Sequence, residues 1–274
     1  MSEKLIDTVV TKDDLKIAFK KLDLQSTDVC MVHSAMSKFQ YLVGGPEAIV
    51  NALEETLSRG TLMMPSQISM NCDPATWEYP PVQKDLIQVI RDAIPPYDPQ
   101  TSPTSGLGIT PEYFRNLPDV IRSSHPYLPI AIWGKNAAKI ASKQPLDMPY
   151  GFGSPLDYLY KHHGKIIFLG TDYETCTMLH YAESTIHRKR ETYSAATSID
   201  QNGKTIWTNY QNVDLDSYDD FNELGEAFEK KFPGKFSTLK LGHGIIKVIN
   251  CITLIDFARE WFDKKDQQFG NAID

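Results

Sequence analysis

The sequence holds little that would tie the chain covalently or carry it into a membrane. Only four cysteines occur in 274 residues. Cys30, Cys72, Cys176 and Cys251 are scattered and form no C-x-x-C pair, which leaves a zinc ribbon or thioredoxin-type site unsupported. The pattern predicts free thiols in a reducing compartment. No apolar run approaches the length needed to cross a bilayer, and the most apolar stretch, 244–255, is interrupted by Lys247. The opening Met-Ser-Glu-Lys-Leu-Ile-Asp lacks the basic start and apolar run of a secretory signal. The expected compartment is therefore cytoplasmic, with no membrane partner. Basic residues are in deficit, 28 against 35 acidic, for a net charge of −7. A surface of that sign does not neutralise phosphates, so no nucleic-acid partner is expected. No short-period repeat occurs, and a hydrophobic content of 41% excludes fibrous and disordered readings.

What is present is an alternation of helix and strand patterns. Residues 12–22 predict a helix, with Thr11 as its cap, Asp14 at the capping-box position, and Leu15, Phe19 and Leu22 as its apolar stripe. A short buried strand follows at 29–32. A second helix begins after Gly44-Gly45, with Pro46 in its first turn, and a second strand spans 61–64. Strand, helix, strand with short connections predicts a crossover unit in a parallel sheet. Ligands of such sheets gather at the C-terminal strand ends. Residues 74–118 are rich in proline and aromatics, with short helices at 85–93 and 112–117. Further strands are expected at 129–133 and 165–169, and helices at 137–142 and at 177 to about 190. A strand at 204–210 follows an Asn202-Gly203 turn. A helix at 219–232, two strands within 236–248 and a helix at 253–264 complete the chain. The fold class is α/β: one compact sandwich with a mostly parallel central sheet flanked by helices. The whole of 1–274 reads as one domain, with 191–274 as its edge or a C-terminal subdomain.

The most informative segment runs from Leu169-Gly170 to Glu183. A buried strand ends, a polar loop follows, and a helix begins near Thr177. Thr177, His180 and Glu183 then fall at i, i+3 and i+6, close to one helix face. A carboxylate accepting from one ring nitrogen of His180 would leave the other nitrogen basic, and either Glu174 or Glu183 is placed to do so. The helix N-terminus and the Thr177 hydroxyl are suited to a developing oxyanion. A histidine on an amphipathic helix is, however, more often a packed residue than a catalyst. Two rivals share the segment: a metal face of His180, Glu183 and His187, and a Cys176–His180 nucleophile and base. Both spacings are common by chance. Elsewhere, residues 33–47 put small and hydroxylated residues after a strand and Gly-Gly before a helix, which suits a phosphate or an amide-bearing ligand. The loop 101–108 is rich in hydroxyls and glycine, and Arg122-Ser-Ser-His-Pro126 offers a cation, two hydroxyls and a histidine to an anion.

Taken together, these segments resemble the aminoglycoside 3-N-acetyltransferase family, including its YokD-like branch. The resemblance rests on Val32-His-Ser-Ala-Met-Ser37, Val43-Gly-Gly45, Met64-Pro65, Asp73-Pro74 with Trp77, and Pro80-Pro-Val82. It continues through Asp98-Pro99, Pro103-Thr104 with Gly106 and Gly108, Arg122-Ser-Ser-His-Pro126, Trp133-Gly134, Gly153-Ser-Pro155, Leu169-Gly170 and Thr177-Met-Leu-His-Tyr-Ala-Glu183. It is clear from 32 to 183 and weaker to Trp261.

The resemblance implies transfer of an acetyl group from acetyl-CoA, as co-substrate, to a primary amine such as the 3-amino group of an aminoglycoside. It implies a fold unlike the GNAT acetyltransferases. Carried over by position, His180 is the general base, Glu183 orients it or holds the substrate ammonium, and Thr177 stabilises the oxyanion. CoA contacts are expected from His33, Ser34, Ala35, Met36, Ser37, Val43, Gly44 and Gly45, and from Thr104, Gly106, Arg122, Ser123 and His125. Asp73, Glu174 and Glu183 are expected in an acidic acceptor cleft. No metal and no covalent intermediate are required, and a homodimer is left open. Ala35, Ser124, Glu174 and the stretch 241–247 depart from the family pattern, which bears on the acceptor more than on the donor. The alternatives carried forward are an acetyltransferase for another amine, a binding protein on the same scaffold, and a metal-dependent hydrolase.

Overall fold

The computed structural model describes residues 5–271; part of the N-terminal stretch read above, residues 1–4, lies outside it. The chain begins with β1 (Val9–Val10) and α1 (Lys12–Lys21). Thr11 and Asp14 close a reciprocal capping box there, the Thr11 hydroxyl accepting from the Asp14 N–H and the Asp14 carboxylate accepting from the Thr11 N–H. Then come β2 (Val29–Ser34), β3 (Tyr41–Leu42), α2 (Gly45–Thr56) and β4 (Thr61–Pro65). The proline-rich middle carries α3 (Ile87–Ala93), α4 (Ile109–Arg115) and β5 (Ile121–Arg122), followed by β6 (Ile130–Gly134), α5 (Ala137–Ala141) and α6 (Pro155–Lys161). The last part holds β7 (Lys165–Leu169), α7 (Thr177–Ser184), β8 (Arg190–Ile199), β9 (Thr205–Val213), α8 (Phe221–Lys231), β10 (Phe236–Leu241), β11 (Gly244–Asn250) and α9 (Cys251–Phe269).

Seven strands form the central sheet in the order β10-β11-β7-β2-β4-β6-β5. Only the central three, β7, β2 and β4, pair in parallel. β11 runs against β7, and β6 runs against β4. This corrects the expected mostly parallel pairing: β5 and β10 point with the central three, but each pairs with an opposed neighbour. The reason lies in the connections. β10 and β11 are joined by a tight turn, which permits only antiparallel pairing, whereas β2 and β4 are joined through α2. β1 pairs with β3, and β8 with β9, outside the main sheet.

Both faces of the sheet are buried, and strand alternation assigns residues to them. Cys30 and Val32 of β2 point into a cluster with α1, α2 and α4, while Met31 points into the cluster under α5 to α9. Ile167 and Leu169 of β7 join the first, and Ile166 and Phe168 the second. Residues beyond 191 therefore supply two strands of the central sheet and the helices α8 and α9 that cover one face. The strand between α7 and the Asn202 turn was not expected. Helix α7 stops at Ser184 rather than near Arg190, because Arg190–Ile199 pairs with β9 instead.

Candidate active site

The C-terminal ends of β2, β4 and β7 lie side by side, and the chain leaves each in a polar loop. At Gly170, φ is +72° and a Cβ would stand 2.8 Å from the Ala35 carbonyl oxygen, so only glycine lets the β7 exit pass the β2 exit. The chain then makes one turn at Tyr173–Thr175 and enters α7 at Thr177.

His180 lies in the middle of α7 and is partly exposed, its ring stacked on Tyr150 at 5.8 Å and tilted against Phe221 at 5.3 Å. Its Nδ1 is 2.8 Å from Oε2 of Glu183. Of the two carboxylates left open by spacing, the i+3 residue on the same helix therefore takes the contact. Glu183 is wholly buried, and each of its oxygens is further occupied. Oε1 accepts from a terminal guanidinium nitrogen of Arg188 at 2.8 Å, and the Asp216 N–H reaches both oxygens at 3.0 and 3.1 Å. Arg188 in turn donates through Nε to both oxygens of Asp266, at 2.8 and 3.1 Å, and lies over the rings of Tyr218 and Phe262. The Tyr218 hydroxyl donates to Asp266 at 2.6 Å. A buried charge this well partnered holds its geometry rigidly. The network leaves Nε2 of His180 as the ring nitrogen not engaged with Glu183.

Arg188, Asp216, Tyr218 and Asp266 were not singled out from the sequence. Asp266 carried a signal: it falls four residues after Phe262, which is four after Ala258, so a carboxylate sits on the buried stripe of α9. Arg188 carried none while α7 was read as continuing through it.

His33 is buried at the end of β2, beside Phe168, and burial together with the nearby His180 pushes its pKa down to about 3. Its Nε2 has no protein partner, and neither do the buried hydroxyls of Ser34 and Ser66. Ala35 and Met36 are half-buried, while Ser37, Val43 and Gly44 are exposed around the entry to α2. Gly44 and Gly45 both have positive φ there. Thr177 is buried in the first turn of α7, one turn before His180.

Other expected site residues have different tasks. Arg122 is buried and donates to the carbonyls of Ser66 and Ser102, with its guanidinium over Tyr97. Ser123 accepts from the Ile130 N–H and donates to Gln144. His125 accepts at Nδ1 from the N–H groups of Tyr127 and Leu128, and its Nε2 lies 3.2 Å from the Leu146 carbonyl. These three side chains are engaged by partners within the chain. Thr104 donates to Glu112 from both N–H and hydroxyl, while Gly106 is open to solvent. Asp73 is held by Arg91 through two bonds, at 2.9 and 2.6 Å, so its charge is already neutralised. Glu174 is exposed, and its carboxylate groups with those of Asp216 and Asp219. Burial, the neighbouring Glu183 and this cluster push the Asp216 carboxyl up to about 6.

The two rivals lose their geometry. His187 lies beyond the end of α7, so it shares no helix face with His180 and Glu183. Burial pushes the Cys176 thiol up to about 12, which keeps it protonated and unreactive at neutral pH. No helix among the described residues is long and apolar enough to cross a membrane.

Residues 31–263 match the family model described as aminoglycoside 3-N-acetyltransferase. The chain is 33% identical over 260 residues to the SPbeta prophage-derived aminoglycoside N(3')-acetyltransferase-like protein YokD of Bacillus subtilis, covering 94% of each chain. The crystal structure of that protein superposes with a TM-score of 0.88 over 94% of this chain and 95% of that one. Aminoglycoside N(3)-acetyltransferase IX of Micromonospora chalcea is 32% identical over 75% of this chain and 73% of its own length. The structure of AAC-IIIb in binary complex with CoASH is 26% identical, with a TM-score of 0.82 over 94% of this chain and 98% of its own. The chain belongs to the aminoglycoside 3-N-acetyltransferase family and is an acetyltransferase of that family.

Proposed function

We propose that this chain transfers the acetyl group of acetyl-CoA to a primary amine by direct attack in a ternary complex, with His180 as general base. The observation that carries the reading is the fixed Nδ1 of His180 against a buried, fully partnered Glu183. That contact sets the ring orientation and leaves Nε2 to act on a substrate proton. The amine arrives protonated, gives a proton to Nε2, and its lone pair attacks the thioester carbonyl. The tetrahedral oxyanion forms near the start of α7, where the Thr177 hydroxyl and the helix dipole favour negative charge. Collapse breaks the carbon–sulfur bond; the remaining extra proton on the attacking nitrogen passes to the departing sulfur, so that CoA leaves as its free thiol with the N-acetylated amine as co-product, and His180 returns its proton to solvent.

Acetyl-CoA as the donor is supported by the CoASH complex of AAC-IIIb. The residues that remain available to it are the 33–37 segment and Val43, Gly44 and Gly45, at the exit of β2 and the entry of α2, together with the solvent-open Gly106. The acceptor class suggested by the relatives is an aminoglycoside, with its 3-amino group as the reacting nitrogen. Glu174, with Asp216 and Asp219, is the acidic part of the acceptor region.

The test is thiol release from acetyl-CoA across a panel of aminoglycosides and simple amines, with wild type and His180→Ala. Loss of roughly 10²- to 10⁴-fold in kcat with an unchanged circular dichroism spectrum is expected. Turnover near wild type in the variant would overturn the mechanism.

A further inference from the structure

Ser123 and His125 reach one and the same loop, and that loop carries Tyr150 to the face of His180. The Ser123 hydroxyl donates to Oε1 of Gln144. The Gln144 amide nitrogen then donates twice, to the Leu128 carbonyl at 2.8 Å and to the Pro149 carbonyl at 3.0 Å. Gln144 thereby closes the loop on itself and ties it to the chain leading into β6. His125 accepts at Nδ1 from two backbone N–H groups, so its Nε2 carries the proton and donates to the Leu146 carbonyl at 3.2 Å. On the other side the loop is fastened to β9. The Met148 N–H donates to the Gln211 carbonyl at 2.7 Å, and the Asp147 carboxylate accepts from the Gln211 N–H at 2.7 Å. Just past Tyr150 the loop abuts the end of α7, where a Cβ on Gly151 would stand 3.3 Å from the Ser184 carbonyl oxygen.

Tyr150 is wholly buried, and its ring lies 6° from parallel with the imidazole of His180, centroids 5.8 Å apart, in the range of an offset stack. Phe221 meets the same imidazole at 5.3 Å, inclined by 55°. The Glu183 contact does not accomplish this by itself. One hydrogen bond at Nδ1 fixes where that nitrogen points, but the ring can still tip about the bond, and χ2 of a histidine is a broad torsion. The two aromatic rings remove that freedom and so aim Nε2.

We propose that Tyr150 is a positioning residue for His180, and that Gln144 acts on the same imidazole through Pro149 and Tyr150. The inference rests on the general-base reading above and deepens it. A reacting group misplaced by about 1 Å costs roughly 10²-fold in rate. The ring face of Tyr150 carries this role, and its hydroxyl does not.

The experiment measures kcat, and KM for acetyl-CoA and for the best acceptor of the panel above, in Tyr150→Leu, Tyr150→Phe, Gln144→Met and Gln144→Met/Tyr150→Leu. Circular dichroism checks the fold of each. Tyr150→Leu is expected to lower kcat by roughly tenfold or more with both KM values little changed, and Tyr150→Phe to restore it. Gln144→Met should lower kcat in the same way, and its effect should shrink in the Tyr150→Leu background, because both act on one ring. Equal losses in both backgrounds, a loss carried by KM, or a Tyr150→Phe variant as slow as Tyr150→Leu would overturn the proposal. If Tyr150→Leu does not fold, Gln144→Met and Tyr150→Phe decide it: a slow first and a fast second support the proposal, and any other pair overturns it. A second readout needs no turnover. In protein carrying isotopically labelled histidine, the ring current of Tyr150 should displace the carbon-bound ring protons of His180, assigned by comparison with His180→Ala. Tyr150→Leu and Gln144→Met should reduce that displacement, and Tyr150→Phe should keep it. If no amine is acetylated, the general-base reading fails, and the resonances alone decide whether these residues set the ring: positions unmoved by Tyr150→Leu would overturn it.

Discussion

Nδ1 of His180 and Oε2 of Glu183 stand 2.8 Å apart, three residues from each other on one helix, with the carboxylate wholly out of solvent. Glu183→Gln replaces a charged acceptor with an amide that can present either its oxygen or its nitrogen. The ring then loses both its fixed tautomer and the charge that stabilises an imidazolium. The expected result is a fall in kcat/KM of about 10²-fold or more with the fold retained. The kinetic split decides between catalysis and mere packing: the loss should fall on kcat with KM for both substrates little changed, and an unchanged kcat would contradict the role given to Glu183.

Arg188 is the single cation between two buried carboxylates, Glu183 and Asp266. Arg188→Met removes it and leaves both anions without that partner. A loss of about 3–5 kcal/mol is expected in urea unfolding, the usual result of breaking a buried pair from one side. The double variant Arg188→Met/Asp266→Leu should lose less than Arg188→Met alone, because one stranded charge is gone. A loss below about 1 kcal/mol in the single variant would show that the network is not held as tightly as its distances indicate.

Asp216 has a carboxyl pushed up to about 6 by burial and by Glu183. An acid held above its ordinary value of 3.8 favours the neutral form in the folded state, so the fold loses stability as pH rises from about 3.8 to about 6. Asp216→Asn keeps the backbone donor to Glu183 and tolerates the left-handed φ of +57°. It is expected to raise stability at pH 7 by about 1 kcal/mol, a figure reduced for the solvent that reaches this half-buried group. The gain should vanish near pH 4. Equal gains at both pH values would refute the titration as the cause.

His125 and His33 titrate in the opposite sense. Burial pushes them down to about 4 and about 3, from an ordinary 6.5. Between pH 6.5 and these values the unfolded chain takes up protons that the folded chain refuses, so stability is full above about 6.5 and falls with acid. The His125 contribution is on the order of 3 kcal/mol across that window. His125→Asn retains an acceptor for the N–H groups of Tyr127 and Leu128 while removing the titration. Thermal denaturation at pH 7, 5 and 4 should show a shallower acid slope in the variant than in wild type.

Much of the site was legible because its chemistry is local. His180 and Glu183 are three residues apart, and helix geometry alone puts them on one face. The capping box at Thr11 and the glycine-entered α2 are similarly short-range. The internal partners of Arg122 and His125 were not legible, because a sequence shows which groups a residue offers, not which partners its neighbours in the fold bring. Ser66 and Ser102 are far from Arg122 in the chain, and only packing delivers their carbonyls to it. Asp73 is similar: its acidity is plain in the sequence, while its neutralisation by Arg91 depends on how α3 docks.

By itself the sequence determined most of the helices and strands, though not the strand at Arg190–Ile199, together with the position of the C-terminal strand ends and the histidine and carboxylate that lie one helical turn apart. Each follows from periodicities of two and 3.6 residues, which need no distant partner. The tertiary structure alone decided that β6 and β11 oppose their neighbours, that α7 ends before Arg188 so that its guanidinium can turn back to Glu183, and that Tyr150 lies against the ring of His180. Those outcomes depend on contacts between segments tens of residues apart, and only the closed fold sets them.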